Sequence, residues 1–251
     1  GMAYSGGTNG YGTIFSFDPS TNTQTKIFDF NNTNGANPQG SLVQASNGKL
    51  YGMTYQGGSS NYGTIFSFDL STNTQTKLLD FNSTNGAYSS GSLVQANNGK
   101  LYGMTQRGGT NNFGTVFSLD PSTNTHSKII DFNYTNGAYP SGSFLQTSDG
   151  KLCGGAGNGG SGGAGTLFSL DPANNSLINL FNFNNTNGAN PYGNLFQASN
   201  GKLYGLMSGS NGGFGAIFSF DPTTNTEASV FTFNNANGSD PYGSLLRASN
   251  G

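Results

Sequence analysis

The stretch GSLVQASNGKLYGMTYQGGSSNYGTIFSFDLSTNTQTKLLDF, residues 40–81, decides how this chain folds. It contains four short runs rich in β-branched and aromatic residues, each bounded by turn-forming residues. SLVQA (41–45) comes first, then the turn SNG, then KLYGMTY (49–55). A glycine-rich loop leads to TIFSFD (64–69), and a STNT turn leads to QTKLLDF (75–81). Asn-Gly suits a tight hairpin because both residues tolerate positive φ. No segment keeps a 3.6-residue apolar period for ten residues, so helix is not expected.

Outward from this stretch, the same phrase recurs. Gly1, Gly52, Gly103, Gly154 and Gly205 open successive copies 51 residues apart. The last copy is one residue short, so Phe218 falls one position out of register with Phe15, Phe66, Phe117 and Phe168. Strands such as GTIFSF and KLLDF are apolar on both faces, as a sheet stacked between two others requires. Four-stranded units at this period are the signature of a β-propeller. An open solenoid would need polar caps, and neither terminal copy resembles one.

The expectation is an all-β, five-bladed β-propeller of four-stranded blades, one domain over residues 1–251. The final GSLLRASNG lacks the KLY that follows elsewhere, and the opening GMAY reads as its continuation. Ring closure is therefore expected through pairing of Gly1–Tyr4 with Ser244–Ala248. The missing KLY also suggests a piece excised from a longer array.

The recurring G-S-L-x-Q-x-S-N-G-K-L-Y-G-M, G-G-x-x-x-x-G-T-I-F-S-F-D-P and F-N-x-T-N-G-A-x-P are similar to the tandem GloVer repeat of secreted bacterial proteins, the choice-of-anchor tandem repeat proteins. The resemblance spans the chain. It implies an exported or surface-attached, extracellular protein, and brings no catalytic residues with it. Copy four departs most: GGAGNGGSGGAG lacks the loop aromatic, and Cys153 stands where other copies have Tyr.

Composition narrows the function. Charged residues are 8% and the net charge is −2, which gives no electrostatic footprint for nucleic acid. Twenty Phe and 12 Tyr supply the apolar area of a folded core despite a 33% hydrophobic share. No run of about 18 apolar residues could insert in a membrane, and the single Cys153 excludes an internal disulfide. A monomer without cofactor or metal is expected.

Candidate catalytic groups are few. Asp18, Asp69, Asp120, Asp171 and Asp221 recur just before a turn, where Asp accepts backbone N–H bonds. Asp29, Asp80 and Asp131 recur after the fourth strand but become Asn182 and Thr232. Only Glu227, Asp149 and Asp240 stand outside both series, poor material for a tuned acid–base pair. His126, the only histidine, reads as a solvated replacement for Gln24 and Gln75. DFNNTNG (29–35) resembles a calcium loop but lacks its bidentate Glu, and an Asx-type turn is the simpler reading. The Asn-x-Thr sequons at Asn31, Asn82, Asn133 and Asn184 read as by-products of the repeat.

What remains is surface. Alternating strands put the two long loops of each copy on one face, and long loops on a rigid scaffold are where binding concentrates. Aromatics recur there: Tyr11, Tyr62, Phe113 and Phe214 in one loop series, Tyr88, Tyr139, Tyr192 and Tyr242 in the other. The expected function is a non-catalytic binding module that recognises carbohydrate or a surface protein through these rings. The alternatives are that the rings plug gaps between blades, and that the domain is a structural or adhesive spacer with no small ligand.

Overall fold

The computed structural model describes residues 1–209 and 213–246. All of its elements are β-strands, with no helix among the described residues. The chain forms two compact units, Gly1–Asp131 and Phe132–Gly251.

The first unit holds three antiparallel sheets. The first sheet has three strands, β1 (Met2–Ala3), β2 (Thr13–Asp18) and β3 (Thr23–Asp29). The second has four: β4 (Val43–Gln44), β5 (Leu50–Thr54), β6 (Thr64–Asp69) and β7 (Thr74–Asp80). The third repeats it with β8 (Val94–Gln95), β9 (Leu101–Thr105), β10 (Thr115–Asp120) and β11 (Thr125–Asp131). The GMAY segment thus pairs with TIFSFD, as expected from the phrase, with Met2 opposite Ile14.

The second unit holds two sheets. One runs β12 (Ala138–Pro140), β13 (Leu145–Gln146), β14 (Leu152–Asn158), β15 (Thr166–Asp171) and β16 (Ser176–Asn182), with both short strands pairing to β14. The other runs β17 (Ala189–Gln197), β18 (Leu203–Gly209), β19 (Ala216–Asp221) and β20 (Thr226–Thr232). The four-strand expectation therefore holds for three of the five sheets. Among the described residues the first sheet has no short outer strand, and β12 makes the β14 sheet five-stranded. In the last sheet the two short segments fuse into β17. Ser244, Leu245 and Leu246 form no strand, while Arg247 and Ala248 of the expected closure lie outside the described residues.

SLVQA was expected to pair throughout but contributes only two ladder residues. The chain turns at once, with Gly48 N–H donating to Ala45 O and the Gln44 side chain donating to Gly48 O at 3.1 Å. Gln95, Gln146 and Gln197 make the same bond to their own turns. The other end of the amide serves the neighbouring repeat. Gln95 Oε1 accepts from Ser46 N at 2.9 Å, and Gln197 Oε1 from Ser148 N at 2.9 Å.

Sheets stack through one repeated contact. A Phe just past the fourth strand lies edge-on to the central Phe of the next sheet's third strand. Centroid distances are 5.3 Å for Phe30–Phe66, 5.5 Å for Phe81–Phe117 and 5.4 Å for Phe183–Phe218. All six rings are fully buried. A bulge in every fourth strand, as between Ile65 and Phe66 in the ladder to β7, bends it toward this contact. The repeat-opening glycine makes room: a Cβ on Gly52 would lie 2.6 Å from Phe66 Cζ.

Candidate functional site

The two aromatic loop series meet through backbone. Tyr62 O accepts from Tyr88 N at 2.9 Å, as Tyr11 O does from Asn37 N and Phe214 O from Asp240 N. In copy four Ala164 holds the aromatic's place and its carbonyl accepts from Asn190 N at 2.8 Å. The acceptor is a main-chain atom, so the bond survives loss of the ring.

This geometry corrects the second series. Tyr88 and Tyr139 share one backbone position with Asn37, Asn190 and Asp240, all at positive φ between 46° and 59°. Tyr192 and Tyr242 lie two residues further along the phrase. The series is two positions, no copy carrying a Tyr at both, and the 53-residue step from Tyr139 to Tyr192 against a 51-residue repeat is the sequence signal of the split. A bulky residue at positive φ is uncommon. At Tyr88 the strain is offset by two ring contacts, with Tyr55 at 5.2 Å and Tyr62 at 5.4 Å. In the second unit Tyr192 packs on Tyr242 at 5.4 Å and its ring edge faces Gly157, which occupies the place of Tyr55. Burial and the neighbouring Tyr242 push the Tyr192 hydroxyl pKa up.

Exposure divides these residues. Tyr62, Phe113, Phe214, Tyr88, Tyr139 and Tyr192 are half-buried, whereas Tyr11 is 38% exposed and Tyr242 71%. Tyr62 also packs against a core cluster containing Phe81 and Phe117. The structure brings Tyr55, Tyr62 and Tyr88 together in one unit and Tyr192 with Tyr242 in the other.

The acidic residues have structural partners. Asp18, Asp69, Asp120 and Asp221 each accept both the backbone N–H and the hydroxyl of the Ser or Thr two residues on. Those hydroxyl bonds, then the backbone ones, hold these four carboxyls below their usual range. Asp29, Asp80 and Asp131 pair with Lys26, Lys77 and Lys128 and accept a backbone N–H from the glycine-rich loop. Asn182 takes over that last bond from Ser161 N at 3.2 Å, showing that the position needs an acceptor rather than a charge. DFNNTNG is a clasp of two asparagines. Asn31 Oδ1 accepts from Asn34 N while Asn34 Oδ1 accepts from Asn31 N, and four later copies repeat it. No three His, Cys, Asp or Glu side chains converge among the described residues.

His126 is not the solvated residue expected. It is half-buried, its ring lies 5.3 Å from that of Phe117, and burial lowers its pKa. Sequence reading also missed two cavities in the second unit. One, of about 230 Å³, is bordered by Asn187, Met207 and Glu227, whose carboxyl is pushed up to about 7 by burial. The other, of about 430 Å³, opens beside Cys153 among Leu180, Leu203 and Pro222. Both are formed by residues of separate repeats, so no single phrase announces them. The one available signal was Cys153 in a tyrosine's place.

The Gloeobacter/Verrucomicrobia repeat profile matches twice, over residues 1–142 and 91–251. The chain belongs to this repeat family. No curated protein matches it by sequence. Among solved structures, TolB from Acinetobacter baumannii is similar with a TM-score of 0.54 at 17% identity, over 86% of this chain and 48% of TolB. The chain thus spans about half of that protein's length. A structure of the nidogen/laminin complex matches with a TM-score of 0.59 at 14% identity, over 94% of this chain and 76% of the other. The extracellular domain of a putative hybrid two-component system from B. thetaiotaomicron gives 0.57 at 13%, over 93% and 28%. A putative gluconolactonase is also among the matches. At these identities the likeness carries the fold, which is β-propeller-like.

Proposed function

We propose that the five sheets are successive blades of one propeller and that the chain acts without catalysis, as a structural or adhesive spacer of an exported bacterial protein. The observation that carries this reading is the occupation of the loop rings: Tyr62, Tyr88 and Tyr55 pack on one another rather than presenting open faces. The acids support the absence of catalysis, since the recurring Asp side chains are engaged in turns and ion pairs. The resemblance to secreted repeat proteins and the match to an extracellular domain support export.

Ring closure is part of the proposal. In the second sheet Val43 pairs with Tyr51. Carried to the chain ends, that register would give Leu246 a partner one position before Gly1, so closure by the chain's own ends uses a shifted register. Cysteines introduced as Met2→Cys and Leu246→Cys, in a Cys153→Ser background, test it. A disulfide within a monomer supports closure; disulfide-linked dimers count against it.

A second reading, a long-loop face that recognises carbohydrate or a surface protein, is favoured by the exposure of Tyr11 and Tyr242, at 38% and 71%. Glycan arrays and calorimetry on the intact chain separate the two. Saccharide binding lost in Tyr11→Ala or Tyr242→Ala would establish the binding module, and blank screens leave the spacer.

A further inference from the structure

In the first unit Tyr51 seals the space between two sheets. Its ring is 1% exposed and its hydroxyl donates to Pro121 O at 3.2 Å. Asn47 reinforces this, with Nδ2 lying 2.9 Å from Tyr51 Oη and 3.1 Å from Pro121 O. Register carries the arrangement through the repeats: Tyr51 pairs with Ser67, Tyr102 with Ser118, Cys153 with Ser169 and Tyr204 with Ser219. Cys153 therefore stands in the place of that tyrosine, and Pro222 is the counterpart of Pro121. The second donor is gone as well, because Asp149 replaces Asn47. Its carboxylate only accepts, taking the Thr147 hydroxyl and the Lys151 N–H.

One ring and two donors are thus missing from a packed interface, and the cavity of about 430 Å³ lies there. It falls within the ~300–1,000 Å³ of small-molecule sites. Its wall is apolar at Cys153, Leu180 and Leu203, with Pro222 at one side and Asp149 and Lys151 also on its border. Apolar space left by a deleted ring can admit a molecule of the deleted shape. We propose that this cavity binds a neutral phenol ring, seated on Leu180, Leu203 and Cys153 with its hydroxyl donating to the Pro222 carbonyl. The Cys153 thiol is pushed up to about 12 by burial and by the nearby Asp149, so it serves as apolar wall rather than nucleophile. The phenol could be a free small molecule or the tyrosine side chain of a polypeptide.

The test is ¹⁹F NMR titration of the intact chain with 4-fluorophenol. Saturable one-site binding is expected with Kd on the order of 1 mM. Fluorobenzene, lacking the hydroxyl, should bind about 3- to 10-fold more weakly. Cys153→Tyr restores the missing ring and should abolish binding; Leu203→Phe, filling the cavity from the facing sheet, is the second blocking variant should the first not fold. Conversely, Asn47→Asp with Tyr51→Cys should create a second site and double the stoichiometry. Competition by N-acetyltyrosinamide assigns the site to polypeptide tyrosine as well as free phenols; its failure restricts it to free phenols. No saturable binding by the parent chain, or undiminished binding by folded Cys153→Tyr or Leu203→Phe, overturns the proposal.

Discussion

Residues 12–18 and 63–69 are the same seven amino acids, GTIFSFD, in two different environments. In β6 the second phenylalanine, Phe68, is fully buried; in β2 its twin Phe17 is 56% exposed. Phe66 is fully buried while Phe15 is half-buried. The mirror-image contrast appears past the fourth strands, where Phe30, Phe81, Phe132 and Phe183 are fully buried and Phe233 is half-buried. Local sequence makes the strand in both cases. Burial is conferred by the neighbouring repeat, through Phe28 and Phe30 in the case of β6. An array stabilised by nearest-neighbour interfaces behaves this way. Full burial supplies roughly 1.5–3 kcal/mol per Phe relative to full exposure, and each partly covered ring forgoes a fraction of that.

The largest expected effect tests this contrast directly. Phe66→Ala should destabilise by about 3–5 kcal/mol, because the ring leaves a cavity between two sheets. Phe15→Ala removes the same side chain from a face that is half-covered while the propeller ring is open, and should lose less than half as much there; the proposed closure would cover that face and bring the two losses together. Urea unfolding of both variants checks the difference. Equal losses would mean that the β2 face is covered in solution, and the contrast would collapse.

Glycine sharpens the same point. Gly52→Ala would set a Cβ 2.6 Å from Phe66 Cζ, in the fully buried core, and 2.9 Å from Cδ2 of Leu42, which is half-buried against the same core. Overpacking of this kind should cost about 1–3 kcal/mol. At Gly1 the added Cβ would meet Phe15 Cζ at 2.7 Å, but that ring is half-buried and can turn aside. Gly1→Ala should leave the midpoint of urea unfolding nearly unchanged.

Interactions confined to one loop should ignore the contrast. Asn85→Ala in the interior and Asn237→Ala in the last repeat each break one asparagine clasp, and each should lose about 1 kcal/mol. Thermal unfolding of the pair checks this. What was legible in the sequence follows the same division. Strands β6 and β2, the Asp18-type turns and the asparagine clasps depend on residues within one phrase, and the phrase announces them. The Phe–Phe stack was legible in part, because strands apolar on both faces imply neighbours. The split of Tyr88 from Tyr192 was legible, because Tyr139 precedes its Pro140 whereas Tyr192 follows Pro191 and stands 53 rather than 51 residues on. The Cys153 and Glu227 cavities were hidden, because their walls come from separate repeats.

The smallest effect concerns one position carried through the repeats as Gln24, Gln75, His126, Leu177 and Glu227. Gln75 donates from Nε2 to the Asn34 carbonyl at 3.2 Å. Glu227 borders the cavity that Asn187, the counterpart of Asn34, also lines, and one of its carboxyl oxygens is buried without a partner. A protonated carboxyl can donate to a carbonyl as Gln75 does, whereas an ionised one cannot. Burial accordingly raises its pKa from 4.5 to about 7. With the folded pKa above the unfolded one, the folded state holds the extra proton, so the contribution of Glu227 to stability is fully present below pH 4.5 and is lost as pH rises to about 7. The group is half-exposed and screened by solvent, so the change should stay under about 1 kcal/mol. Urea midpoints across that window should show the decline in the parent chain and lose this contribution in Glu227→Gln, which restores the amide found at Gln24 and Gln75. A Glu227→Gln variant with an unaltered slope would assign the decline to other groups and leave position 227 without a role in the interface.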